Sequence, residues 1–473
     1  MSDVNSGPLP GPSSDPPYGS ASTAAPGPEP DVASLHHVCR ELAEAADAVR
    51  EASRYASRVA LGTRLPLTAL GSRRTRASQR ALIRTLLNPQ GLGWGPQGRT
   101  PLAAVAWLAG VLTSRENLAV SLAVAGLKAR IRAAAVRHPE LLGHPATSKV
   151  LQAIQEDRQV EAVRTFKALL HEEGAEYALA LLAPSFADII AWNALTDENP
   201  FNDQAGWQVA TGRALTSDYL MGFSGRVWDF LDRGQGRAEP HTPDPDLLGA
   251  LDTSGTLVGW ITNIGLIGTE GLLLVQQVIG PDGVLRYVVQ FAGMARTLGA
   301  ETPQDLLGAI DSVAGADTAY SRAVRKALRQ MIPSGAEVAL VGHSQGGVTA
   351  MNLAAHRDFN VLYTVTHVVA IGSPIDQKRP ADPRTRVFSL VNEHDIVPSL
   401  EGRSAVSPYP LGPEFTEYTW TDDTHAFPLC HAAERYAHNL AHDVPEASAH
   451  VDAELAAYRG RVTGNRFFAL HDR

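Results

Sequence analysis

Cysteine is nearly missing from this chain: Cys39 and Cys430 are the only two among 473 residues. So few cannot build a disulfide framework or a thiolate metal site, which leaves two separate thiols and suits a reducing compartment. Extended Lys/Arg runs are missing as well. The 41 basic and 50 acidic residues leave a net charge of −9, which argues against nucleic acid or an anionic membrane as the main partner. Long apolar runs are the third absence. LAAVAWLAGVL, from Leu102 to Leu112, has about half the length of a membrane span. GTLVGWITNIGLIG is broken by Asn263 and soon followed by Glu270. Both read as core, and no transmembrane segment is expected. The first twenty residues, MSDVNSGPLPGPSSDPPYGS, have neither a basic n-region nor an apolar h-region. A Sec-type signal peptide is therefore not expected, and the reading is a cytoplasmic protein or one exported by another route.

What is present is globular, with a hydrophobic fraction of 44% and a length that calls for more than one core. Residues 1–31, rich in Pro, Gly, Ser and Ala, bury too little to offset their ordering entropy and read as a disordered tail. From Ser34, a helix N-cap candidate, Leu35, Val38, Leu42, Ala45, Val49, Ala52, Ala56 and Val59 recur in steps of three and four, one face of a helix. Further helical stretches fall at Gln79–Leu87, Pro101–Thr113, Glu116–Arg137, Lys149–Glu172 and Tyr177–Leu182, with no strand pattern between them. Residues 32–205 are thus an expected helical domain, with a cap or partner-binding role. RGQGRAEPHTPDPD, within Gly225–Pro245, reads as a linker, so a chain starting near residue 205 is expected to fold alone. Thereafter the period changes. LLLVQQVIG and VLRYVVQFAG flank the turn Pro281-Asp282-Gly283. A helix is expected at Thr318–Ile332, a strand at Glu337–Val341, a helix at Val348–His356, and strands at Thr366–Ile371 and Arg386–Val391. Such alternation means βαβ units and a largely parallel sheet. The catalytic domain is placed at 206–460, with 461–473 as a C-terminal extension.

The segment AEVALVGHSQGGVTAMNLAAH contains Gly342-His343-Ser344-Gln345-Gly346, a G-x-S-x-G placed after a strand and before a helix. On so tight a turn a Cβ at either glycine would clash, and the turn lifts the Ser344 hydroxyl toward a base. It also aims the N–H of Gln345 at a developing oxyanion, beside a helix N-terminus. A serine hydroxyl needs a base and an orienting acid, which follow such an elbow in the order acid, then histidine. RVFSLVNEHDIVPSL offers Asp395 as the acid, with Glu393 its nearest rival. Downstream lie His425, His431, His438, His442 and His450. His431 opens the helical stretch HAAERYAHNL and is the expected base; His425 in TDDTHAF is second, and His438 lies in the helix body. These histidines lack metal-ligand spacing, so neither a metal nor an organic cofactor is expected. The second oxyanion donor should follow the strand VVQFAG, at Met294.

At these residues the chain resembles the α/β-hydrolase superfamily, and within it bacterial lipase/esterase-type members. VQFAGM is similar to the oxyanion-loop strand, LVGHSQGG to the nucleophile elbow, VVAIGSPID to the next strand and NEHDIVP to the acid loop. The resemblance spans roughly residues 250–445 and implies the α/β-hydrolase fold. The GSP turn and the D-x-V-P ending are similar to those of class-3-type lipases, whereas Met294 departs from the Ser or Thr many of them carry. The helical half resembles the Trp-x-Gly helical-hairpin proteins of actinobacterial specialised secretion, with Trp94-Gly95 lacking the intervening residue. The expectation is a serine hydrolase acting on small-molecule or lipid esters through Ser344, His431 and Asp395. The same triad serves acyltransferases and thioesterases, and a helical interaction protein with a hydrolase scaffold is the alternative of another class.

Overall fold

A computed structural model describes residues 32–60, 72–86, 117–172, 175–197, 202–212, 234–294, 317–376, 378–400, 411–423 and 428–473, with isolated positions between them. The residue 1–31 tail, Pro101–Thr113, Trp94-Gly95 and His425 lie outside the described residues.

The first half is helical: α1 Val32–Ala60, α2 Arg73–Leu86, α3 Leu118–Arg137, α4 Glu140–Gly143, α5 Pro145–Gln155, α6 Gln159–Glu172, α7 Ala175–Leu182, α8 Phe186–Thr196 and α9 Asp203–Ala210. Helix α1 buries Cys39, Ala43, Ala46, Ser53, Ser57 and Ala60, while Val38, Ala45 and Ala52 are exposed. The expected stripe is therefore rotated by about one residue. Packing against α3 explains the shift: Leu42 Cβ would sit 3.7 Å from a Cβ added at Gly126, and so close an approach selects the smaller side chains. The expected helix Lys149–Glu172 is broken in two where Asp157 takes φ 56°. Leu127, Ile131, Leu151, Ile154, Leu182, Trp192 and Trp207 form the helical core. The buried Arg130 pairs with Asp188 and donates to the carbonyl of Val209 at 3.0 Å, tying α3 to α8 and α9. Since Trp207, Val209 and Ala210 belong to this core, the boundary at 205/206 falls inside α9 and the helical region runs past it.

The second half is an open mixed sheet in the order β1-β8-β2-β3-β4-β5-β6-β7. Its strands are β1 Arg237–His241, β2 Leu272–Ile279, β3 Leu285–Phe291, β4 Glu337–His343, β5 Thr364–Ile371, β6 Arg386–Asn392, β7 Phe415–Trp420 and β8 Arg461–His471. Strands β3 to β7 pair in parallel; β1, β8, β2 and β3 pair antiparallel. Alternation sorts the side chains into two layers. Leu273, Val275, Val289, Phe291, Val338 and Leu340 face the first layer, with α12 Ala319–Arg329 and α13 Gln345–Ala355 supplying Tyr320, Val324, Val348 and Met351. Leu274, Val278, Val288, Ala339, Val341 and Ile371 face the second. There α11 Leu257–Ile267, α16 Ala433–His442 and α17 Pro445–Glu454 supply Trp260, Tyr436, Leu440 and Val451. Two short helices, α10 Pro245–Ala250 and α14 Arg357–Leu362, and the turn α15 Ile396–Ser399 complete the described helices.

Three expectations are corrected at the sheet edge. The linker reading at Gly225–Pro245 contains β1, whose exposed pattern and Pro240 fit an edge strand that needs no donor on its outer side. The extension 461–473 is β8, inserted between β1 and β2 and burying Phe467, Phe468 and Leu470. Strand β7 closes the other edge and was not expected, since FTEYTW keeps one polar side. The chain from Val32 to Arg473 forms one compact unit, in which α15 packs on α7 and α8. Among the described residues no helix is long and apolar enough to cross a membrane.

Candidate active site

Parallel pairing of β4 with β3 and β5 brings the elbow to the carboxyl end of the sheet centre. Ser344 sits there at φ 56°, ψ −127°, a conformation that costs a non-glycine residue roughly 1–3 kcal/mol. The surroundings hold it in place. Its N–H donates to the carbonyl of Ile371 at 2.8 Å. A Cβ added at Gly342 would lie 2.4 Å from the Gly346 backbone, and one at Gly346 would lie 2.4 Å from the Phe291 carbonyl. The glycines are thus required by backbone crowding on both sides of the serine. Gly293, at the end of β3, is equally tight: its Cβ would stand 2.9 Å from Ser344 Cβ, which sets the following residue, Met294, beside the elbow.

Ser344 Oγ lies 2.8 Å from His431 Nε2, and His431 Nδ1 lies 2.6 Å from Asp395 Oδ2. A carboxylate only accepts, so Nδ1 carries the proton and Nε2 accepts from the serine hydroxyl. Asp395 stands at the turn after β6 and caps α15, its Oδ1 accepting from the N–H of Val397 at 3.0 Å. His431 ends a short turn, Leu429–His431, just before α16. One turn into α16, Tyr436 donates its hydroxyl to Asp395 Oδ2 at 2.9 Å while accepting from the N–H of Asn392 at 3.1 Å. Burial, then the Asp395 charge, keeps that phenol far above the usual tyrosine range, so it remains a donor. Gly372, at φ 55°, clears room for both: a Cβ there would meet Asp395 Oδ2 and the Tyr436 hydroxyl at 2.9 Å.

His343 packs against His431. Its Nε2 donates to the His431 carbonyl at 2.7 Å, and the two rings lie 4.7 Å apart. Burial, reinforced by His431, pushes the His343 imidazole down to about 3, so it stays neutral and fixes the backbone of His431. Gln345 anchors the start of α13, its side-chain amide donating to the Pro303 carbonyl at 2.7 Å and to Ser312 Oγ at 3.2 Å. Cys430 is buried and its thiol is pushed well up by burial, then by Asp395 and Asp422, which leaves it no thiolate character beside the serine. A shallow cleft lies next to Asp395, with Ser373, Asp376, Val391 and Ser399 in its wall.

The structure therefore joins Ser344, His431 and Asp395, the three residues expected from sequence; Gln345 follows the serine in the chain, and Met294 follows Gly293, which packs against it. The rival acid Glu393 turns away, pairing instead with Arg137 and His138. His438 and His442 are exposed and stacked on each other on α16 at 4.5 Å. Tyr436 and His343 were missed as site residues. Tyr436 reads only as a packing residue on its helix, and His343 occupies the variable position of G-x-S-x-G. No protein-family model, curated protein or solved structure matches the chain.

Proposed function

We propose that the protein is a serine hydrolase of the α/β-hydrolase fold that cleaves carboxylic esters through an acyl-enzyme. The observation carrying this reading is the unbroken hydrogen-bond line from Ser344 Oγ through His431 to Asp395, at 2.8 and 2.6 Å, anchored on a strained turn. Backbone strain held at a buried hydroxyl that faces a base is better explained by nucleophilic catalysis than by packing. Ser344 Oγ attacks the acyl carbon as His431 Nε2 takes its proton. The carbonyl oxygen becomes an oxyanion that accepts from the N–H groups of Gln345 and Met294. The imidazolium is stabilised by Asp395, whose other bonds, from Tyr436 and Val397, hold the carboxylate in line. His431 returns the proton to the departing alcohol; water then repeats the cycle on the acyl-serine and releases the acid.

Ser344→Ala removes the attacking atom and nothing that supports the sheet. We expect it to fold as wild type while p-nitrophenyl ester hydrolysis falls by about three or more orders of magnitude. Retention of even a tenth of the activity would show that another group attacks.

A further inference from the structure

The turn that presents Asp395 carries a second constellation on its neighbouring residues. Glu393 and His394 meet Arg137, His138 and Glu140 of the helical region. His138 Nδ1 lies 3.1 Å and His394 Nε2 3.3 Å from the same oxygen, Glu140 Oε1. The three atoms all fall within 4.8 Å of one another. Ligands about 2.0–2.1 Å from a tetrahedral zinc ion are separated by about 3.3 Å, so two of the three separations already match. The outer face of each ring matters as much. His138 Nε2 lies 2.9 Å from Glu393 Oε2, and His394 Nδ1 lies 3.8 Å from Asp422 Oδ1. Metal-bound imidazoles commonly have a carboxylate beside the far nitrogen, and both rings here have one close by. Both outer carboxylates are buried, with 1% side-chain exposure, and each is steadied by an arginine, Arg137 or Arg435. Three carboxylates, Glu140, Glu393 and Asp422, face two guanidiniums, Arg137 and Arg435, around the rings, so the surroundings carry net negative charge.

We propose that His138, Glu140 and His394 bind one divalent transition-metal ion, with zinc the ion that two imidazoles and a carboxylate suit best. Glu140 is 31% exposed, which leaves the fourth position open to a water molecule. The ion links the start of α4 to the turn before Asp395, two segments more than 250 residues apart, and so fastens the helical region to the acid loop. Spacing rules do not find this site, because its ligands meet only across the interface.

The test is calorimetric titration of the chelator-stripped full-length chain with zinc chloride, followed by thermal melting. One ion per chain and a raised thermal midpoint are expected. Glu140→Ala, at the partly exposed ligand, should weaken binding by at least about tenfold, and Glu393→Gln, which removes the negative charge beside His138, by about ten- to hundredfold. His442→Ala, which dismantles the exposed His438–His442 pair, should leave the affinity unchanged. The proposal fails if the wild-type chain takes up no stoichiometric zinc, if Glu140→Ala binds as tightly as wild type, or if His442→Ala abolishes uptake.

Discussion

At the scale of single residues, the acid of the proposed triad is the most heavily supported group. Asp395 receives His431, Tyr436 and the N–H of Val397, which leaves its carboxylate one favourable orientation. Tyr436 is also the only bridge described between that carboxylate and the backbone of Asn392. Tyr436→Phe keeps the ring that packs on Trp420 but leaves the buried Asn392 N–H without this acceptor, at a cost of roughly 1–3 kcal/mol. We expect a thermal midpoint several degrees lower and a fall in kcat of about tenfold with KM little changed, since the lost bond orients the base and does not touch substrate. A KM effect with unchanged kcat would move Tyr436 from positioning to binding. The grouping of Ser344, Asp395 and His431 was legible in sequence for a physical reason. An elbow demands glycines two positions to each side, and a histidine before an amphipathic helix has one direction in which to point. The supporting residues were not legible: Tyr436 and His343 look like ordinary core until the sheet brings β4, β6 and α16 together.

At the scale of elements, continuous apolar runs identified β2, β3, β4, β5 and β6, because strands covered by helices on both faces carry little polar punctuation. The strands that sequence missed, β1, β7 and β8, are those with one open face or edge. RAEPH is polar since water reaches it, and RVTGNRFFALH begins with six residues of mixed character before Phe467. Strand β8 nevertheless bridges β1 and β2 and buries Phe467, Phe468 and Leu470 in both layers. Removing residues 461–473 would unpair β1 and one edge of β2 and strip three large side chains, each contributing roughly 2–5 kcal/mol. Such a chain is expected to be insoluble or to lack a cooperative thermal transition. A soluble, cooperatively melting product would show that β8 is dispensable. Helix α1 makes a related point. Its heptad spacing was legible, but the buried face was read one residue off. Alanine and serine carry too little hydrophobic contrast to fix the phase that close packing on α3 selects.

At the scale of the whole molecule, a helical core and a two-layered sheet meet at the turn that carries Asp395, so loading at that junction bears on both. Acid sensitivity should be shared as well. The buried His343 imidazole is held at about 3 in the folded chain, against about 6.5 for an unperturbed one. Below pH 6.5 the unfolded chain takes up a proton that the folded one refuses, so stability is complete above that value and drains away as pH falls toward 3. His343→Gln, whose amide can still donate to the His431 carbonyl, should show a flatter fall of the urea midpoint between pH 7 and pH 4.5. An unchanged slope would assign the acid loss to other groups. The central claim, that this fold builds a reactive serine, is read most directly by intact mass after treatment with a fluorophosphonate probe. The native chain should gain a single adduct on Ser344, and neither the urea-denatured chain nor Ser344→Ala should gain any. An unlabelled native chain, or equal labelling of Ser344→Ala, would contradict the account.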